Sequence, residues 1–191
     1  MTYKRKAAAL IIAAGLFVLA FWSVVAHAAW NAHVIDKETG QPLEGVVVLA
    51  VWRKCGFIVM DGCAAYYDSK ELVTGPDGRF TLNPPGFSLQ PKKGPEFYIF
   101  KPGFGQWRFQ GQDHWSKDEV TNSKQQKEAF NQFASEKGVI IELTALKTRG
   151  ARWEFYTSVR FPDVPSEVPA EKMKSYLKVV NDERKFLELD R

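Results

Sequence analysis

The sequence predicts a mainly β fold closed by two C-terminal helices, and three observations carry that prediction. Residues 34–51 read as a strand, a polar turn set by Gly40 and Pro42, and a Val-rich run suited to a buried strand. Gly75-Pro76-Asp77-Gly78 separates two short apolar runs: Pro presets the first central φ, Asp suits the second and Gly takes a positive φ, which is a hairpin signal. After Lys147 the apolar spacing becomes helical, first at Trp153, Tyr156 and Val159, then at Met173, Leu177, Val180 and Leu187.

The 191 residues suffice for one domain with appendages. Of the formal charge of +4, Lys4, Arg5 and Lys6 supply three, so residues 29 to 191 carry only +1. Nucleic-acid binding needs a concentrated basic patch, and this balance argues against it. The cationic start precedes an uncharged apolar run from Ala7 to Ala26 and then Ala26-His27-Ala28, the pattern of a secretory signal cleaved after Ala28. The run is also long enough to span a bilayer, so residues 1–28 are a signal peptide or an uncleaved inner-membrane anchor. Either places the remainder outside the cytoplasm, in the periplasm or secreted, with membrane contact only through that segment if it is retained. The two cysteines, Cys55 and Cys63, then reach an oxidising compartment and are expected to pair.

In chain order, Trp30 to Ile35 forms the first strand and Leu43 to Arg53 the second, with Pro42 at its entry. Gly56 to Gly62 is an apolar run inside the Cys55–Cys63 loop. Glu71 to Thr74 and Arg79 to Leu82 flank the hairpin turn. Asn83 to Pro95 holds four prolines and two glycines, too many breakers for a regular element, and reads as a surface loop. Glu96 to Lys101 is a strand, and Gln106 to Gln110 another. The polar stretch 111–137 contains a helix from Lys124 to Lys137, capped by Ser123 and ended by Gly138. Val139 to Leu146 is the last strand. Phe161-Pro162 ends the first C-terminal helix, and Pro169 suits the first position of the second.

Four pieces of this pattern, in this order, resemble the carboxypeptidase regulatory-like domain of exported bacterial proteins: Thr39 to Gly45 leading into the Val-rich strand, the Val73 to Leu82 hairpin, Tyr98 to Phe104 ending in Lys-Pro-Gly-Phe, and the closing Val139 to Leu143. The resemblance implies a transthyretin-like (prealbumin-like) Greek-key β-sandwich over residues 29–147, with 111–137 as an insertion and 148–191 as a helical extension. It also implies a folding, adhesion or interaction module rather than an enzyme. Two enzyme families share that fold, and neither signature is present. The hydroxyisourate hydrolases end in Tyr-Arg-Gly-Ser, whereas this chain ends Leu189-Asp190-Arg191; the intradiol dioxygenases carry an Arg-x-x-His-x-His run that is absent here.

The residue types agree. Beyond residue 28 only His33 and His114 remain, without metal-ligand spacing, so neither a metal nor another cofactor is expected. No Gly-x-Ser-x-Gly elbow exists. His33, within a strand, reads as a satisfied structural residue, and His114 beside Asp113 is the one handle for an unrecognised hydrolase. Aromatics make up 14% of the chain, and Phe104, Trp107, Phe109 and Trp115 crowd into twelve residues among amides and charges. Such rings pack a core or stack on sugars. The expected function is therefore an exported, non-catalytic module for protein binding or assembly in the cell envelope. The alternative is a glycan or peptidoglycan binder using Phe104, Trp107, Phe109, His114 and Trp115.

Overall fold

The computed structural model describes residues 29–56, 63–86, 89, 91–111, 119–158 and 164–189. The export segment, the apolar run 57–62, His114 and Trp115 lie outside the described residues. The strands are β1 (Trp30–Asp36), β2 (Val47–Lys54), β3 (Ala65–Val73), β4 (Arg79–Leu82), β5 (Lys92–Phe100), β6 (Arg108–Phe109) and β7 (Val139–Leu143). Helix α1 (Glu119–Phe133) precedes β7, and α2 (Arg149–Thr157) and α3 (Lys174–Leu187) follow it.

Two sheets result. One has the order β4-β1-β7-β6 and the other β3-β2-β5. Every pairing is antiparallel except β1 with β7, which run parallel in register Ala32 to Val139. Both sheets contribute to one core: Ala32, Val34, Phe80, Leu82 and Ile141 meet Val48, Ala50, Trp52 and Ile99. The chain is thus mainly β and sandwich-like.

The turn between β1 and β2 is tied to the turn at Gly75–Gly78, which carries the chain from β3 in one sheet to β4 in the other and so is a crossover rather than the hairpin expected from the sequence. Buried Thr74 donates its hydroxyl to the Leu43 carbonyl at 2.6 Å and accepts from the Val46 amide at 2.9 Å. Gly78 bears a φ of +66°, and a Cβ there would stand 2.5 Å from the Val34 carbonyl oxygen. Only glycine permits that approach.

β2 is buried along both faces from Val47 to Trp52. Its even-numbered side chains enter the core between the sheets. Its odd-numbered ones, Val47, Leu49 and Val51, form a second cluster with Phe100, Met173, Tyr176 and Val180. A helical layer therefore seals the outer face of the three-stranded sheet. In α3 the buried positions are Tyr176, Val180, Glu183 and Leu187, a four-three-four spacing that keeps one stripe inward. Glu183 is tolerated there because Arg152 of α2 grips it with a two-pronged guanidinium–carboxylate pair, Nε to Oε1 at 2.7 Å, and Arg152 also lies 3.8 Å above the Phe186 ring. The N-terminus of α3 has no side-chain cap of its own. Glu71 of β3 supplies one, accepting from the Ser175 and Tyr176 amides at 2.9 and 2.5 Å.

Several elements differ from the sequence expectation. β5 begins at Lys92, inside the stretch read as a proline-rich loop. It tolerates Pro95 because it is an edge strand and because the pairing with β2 slips between Val51 and Arg53. α1 spans Glu119–Phe133 rather than 124–137. It stops early because the Ser135 hydroxyl donates to the Gln132 carbonyl at 2.6 Å, while Asn31 of β1 holds the Ser135 carbonyl at 3.0 Å. The stretch read as a polar insertion also supplies the core: the Phe133 ring is fully buried against Phe80, Phe97 and Phe109, with centroids 5.9, 4.7 and 5.8 Å away. α2 begins at its Thr148 cap, whose hydroxyl accepts from the Ala151 amide at 3.1 Å, and ends where Ser158 folds back on the Phe155 carbonyl. Pro169 precedes a single 3₁₀ turn, Ala170–Lys172, rather than opening α3 itself.

Candidate functional site

The sheets differ in what covers them, and the candidate site follows from that. On the outer face of the four-stranded sheet the register aligns Arg79, His33 and Ile140 across β4, β1 and β7, with Thr81 beside Asn31 in the next row. Strand alternation dictates this face, since the intervening Ala32, Val34 and Phe80 enter the core. The C-terminal end of α1 and the turn at Lys137 and Gly138 rise beside it. Between them lies a groove of about 570 Å³. Its floor is strand and its wall is helix.

Asn31 is the clamp that holds wall to floor. Its amide nitrogen donates to the Ser135 and Ala29 carbonyls at 3.0 and 3.3 Å, and its oxygen accepts from the Thr81 hydroxyl at 2.8 Å. Gly138 closes the corner with a φ of +65°, where a Cβ would come within 2.6 Å of the Asn31 carbonyl oxygen. Asn31 therefore has little hydrogen-bonding capacity left for a guest.

The other polar groups are differently placed. The side-chain heads of Arg79, Gln110, Gln132, Glu136 and Lys137 line the groove and have no hydrogen-bond or ion-pair partner among the described residues. The His33 Nε2 atom is enclosed and likewise lacks a partner among them. That corrects the reading of His33 as a satisfied strand residue. An enclosed nitrogen left unpaired costs about 1–3 kcal/mol. Deeper along the same face, Arg108 of β6 pairs with Glu142 of β7 at 3.2 Å, so that cation is engaged.

A second cavity of about 630 Å³ lies beside the helical layer and is lined by Arg53, Tyr98, Glu167, Asn181 and Arg184. Its electrostatics are internally balanced. Arg53 sits between Glu96 at 2.9 Å and Glu167 at 2.6 Å, and the hydrogen bond it donates to Glu96 leads the causes that raise its pKa. The Tyr98 hydroxyl is pushed above the ordinary tyrosine value, first by burial and then by the same two carboxylates.

The aromatic cluster singled out from the sequence is distributed differently. Phe109 is 4% exposed and packs edge-on against Phe130 and Phe133 at 5.0 and 5.8 Å. Trp107 is half-buried on the same core and meets Phe109 edge-to-face at 5.4 Å. Phe104 forms an isolated bridge with Ala145 under the Lys101 ammonium. The structure thus brings Phe104, Trp107 and Phe109 to the sandwich core; His114 and Trp115 lie outside the described residues. Cys55 and Cys63 form a disulfide where β2 leaves and β3 enters the sheet. No group of three or more His, Cys, Asp or Glu side chains converges as a metal site among the described residues.

Sequence reasoning missed the groove. Its polar heads come from two strands, a helix and the turns beside them, separated by up to about a hundred residues, and each alone looks like an ordinary position. The available signal was the polar phase of the alternation in 30–35 and 79–82, where Asn31, His33, Arg79 and Thr81 all fall on one face. No protein-family model, no curated protein and no solved structure matches the chain.

Proposed function

We propose that this chain is an exported, non-catalytic β-sandwich module of the bacterial envelope that holds an envelope component against the open face of its four-stranded sheet. The observation that carries the reading is the asymmetry of the sheets: one outer face is sealed by the chain's own helices, whereas the other bears a groove in which the side-chain heads of Arg79, Gln110, Gln132, Glu136 and Lys137 are unpartnered among the described residues. A polar cavity of this size lies within the range of binding clefts. The disulfide points to a non-cytoplasmic location, and the periplasm is the compartment we propose. Among the described residues no helix is long and apolar enough to cross a membrane.

The transthyretin-like Greek-key topology belongs to the same proposal. It is supported by the strand order, in which β4 returns to lie beside β1 while β2 and β3 pair in the opposite sheet. Membership in the carboxypeptidase regulatory-like family is proposed on the sequence motifs named above.

The test is in-cell photo-cross-linking of the full chain in its native host. A photoreactive side chain placed at Lys137, on the groove rim, is expected to capture an envelope component. The same group at Lys178, exposed on the helical layer with its side chain 75% accessible, is expected to capture none. Capture from Lys178 alone, or from neither position, would overturn the assignment of the open face.

A further inference from the structure

We propose that the groove on the four-stranded sheet is a subsite for an acidic saccharide, a pyranose carrying a carboxylate, with Arg79 as the carboxylate-binding residue. The inference rests on the open-face reading and names the ligand class for it. Three features of the groove select that class.

The first is charge. Among the described residues the unpartnered charged heads of the groove are two cations, Arg79 and Lys137, against one anion, Glu136, so the groove has a net attraction for a single negative group. Arg79 projects from β4 directly beside His33, and a guanidinium presents paired N–H donors in the geometry that matches a carboxylate. The second is hydrogen-bonding capacity. Gln110 and Gln132 both line the groove with amide groups that have no partner among the described residues, and an amide both donates and accepts, as ring hydroxyls require. His33, whose Nε2 is enclosed and unpaired among the described residues, stands beside Arg79 in the floor.

The third is what the groove does not offer. Protein interfaces draw most of their energy from aromatic or aliphatic anchors in desolvated pockets. The apolar side chain most exposed on this floor is Ile140, at 37%, while Phe80 and Phe109 are turned into the core. A cavity of about 570 Å³ walled by amides and charges suits a small polar ligand better than a protein anchor.

The experiment is a titration of the isotopically labelled full chain, followed by amide and side-chain NMR, with two matched sugar pairs: N-acetylmuramic acid against N-acetylglucosamine, and glucuronate against glucose. Members of each pair differ by the carboxylate-bearing substituent. The acidic member is expected to shift the resonances of His33, Arg79, Gln110 and Gln132 saturably, and to bind at least about tenfold more tightly than its neutral counterpart, the worth of one charge-assisted pair. Arg79→Gln is expected to remove that advantage, and Arg79→Lys to restore part of it. Both variants should keep the wild-type Tm, because the Arg79 head is unpartnered among the described residues. Rising salt should weaken the acidic member selectively.

Equal binding of acidic and neutral sugars would overturn the carboxylate assignment. Binding that survives Arg79→Gln unchanged, or shifts centred on Trp107, would overturn the site. No binding by any of the four sugars, alongside cross-linking of a protein from Lys137, would overturn the saccharide class while leaving the open-face reading intact. Absence of both would remove that reading too.

Discussion

The outer faces of the two sheets are built from the same alternating pleat, yet one is dry and the other wet. On the three-stranded sheet, Val47, Leu49 and Val51 point outward as apolar side chains and α3 lies over them. On the four-stranded sheet the equivalent outward positions are Asn31, His33, Arg79 and Thr81, and polar heads remain along a groove. A strand apolar in both phases demands a cover, because about 25 cal/mol is gained for each Å² of apolar surface removed from water. A strand apolar in only one phase needs none. The contrast between β2 and β1 therefore assigns structural duty to one face and leaves the other for recognition.

The strongest way to break that contrast is to unseat the cover. Glu183→Ala leaves Arg152 as an uncompensated charge beneath the helical layer, and we expect a loss of about 3–5 kcal/mol in chemical denaturation. A loss below about 1 kcal/mol would mean that α3 is a loosely held appendage rather than the lid of the sheet. Glu71→Ala should cost less, about 0.5–2 kcal/mol, the usual worth of a helix N-cap, and should appear first as faster amide exchange at Ser175 and Tyr176.

A milder probe of the sealed side is alkaline titration. Burial raises the Tyr98 pKa above the ordinary value of 10.0, so the folded state retains a proton that the unfolded chain releases. The associated stability is present in full below pH 10 and is lost as pH rises through the folded value. Absorbance at the phenolate band in the wild type, compared with Tyr98→Phe, should reveal one tyrosine ionising late. The smallest effect is expected on the open face, where Ile140→Thr should change stability by no more than about 0.5 kcal/mol in either direction. A large loss there would reveal a packing role for this floor and blur the contrast between the faces.

Legibility in the sequence followed the range of the interactions. The Gly75 to Gly78 turn and the Val-rich β2 announced themselves because their causes are local: one backbone conformation, one unbroken apolar run. The second half of β5 was readable from Glu96 onward, but its start at Lys92 was hidden because Pro91, Gly94 and Pro95 carry a strong local signal for a loop, which edge position and a register slip overrule. Of the α3 stripe Met173, Leu177, Val180 and Leu187 read from the sequence, Leu177 is only partly buried and the others are buried, whereas Tyr176 and Glu183 were not readable. A buried glutamate becomes intelligible only with Arg152, 31 positions away. The disulfide was expected from export and cysteine count together, and Cys55 and Cys63 are joined. The groove depends on Asn31 clasping Ser135 across 104 positions, which no local pattern encodes.

The parallel pairing of β1 with β7 sets a timetable. β1 is the first described strand and β7 the last, and β1 has neighbours on both sides only when residues 139–143 have joined it. A chain synthesised from its N-terminus therefore carries an unfinished central strand until nearly three-quarters of its length has emerged, and the closure spans about a hundred residues, a slow step in folding. Until then, Trp30 to Asp36 is an exposed template for mispairing. Cells that make this protein thus have reason to keep the nascent chain attended until its final strand arrives.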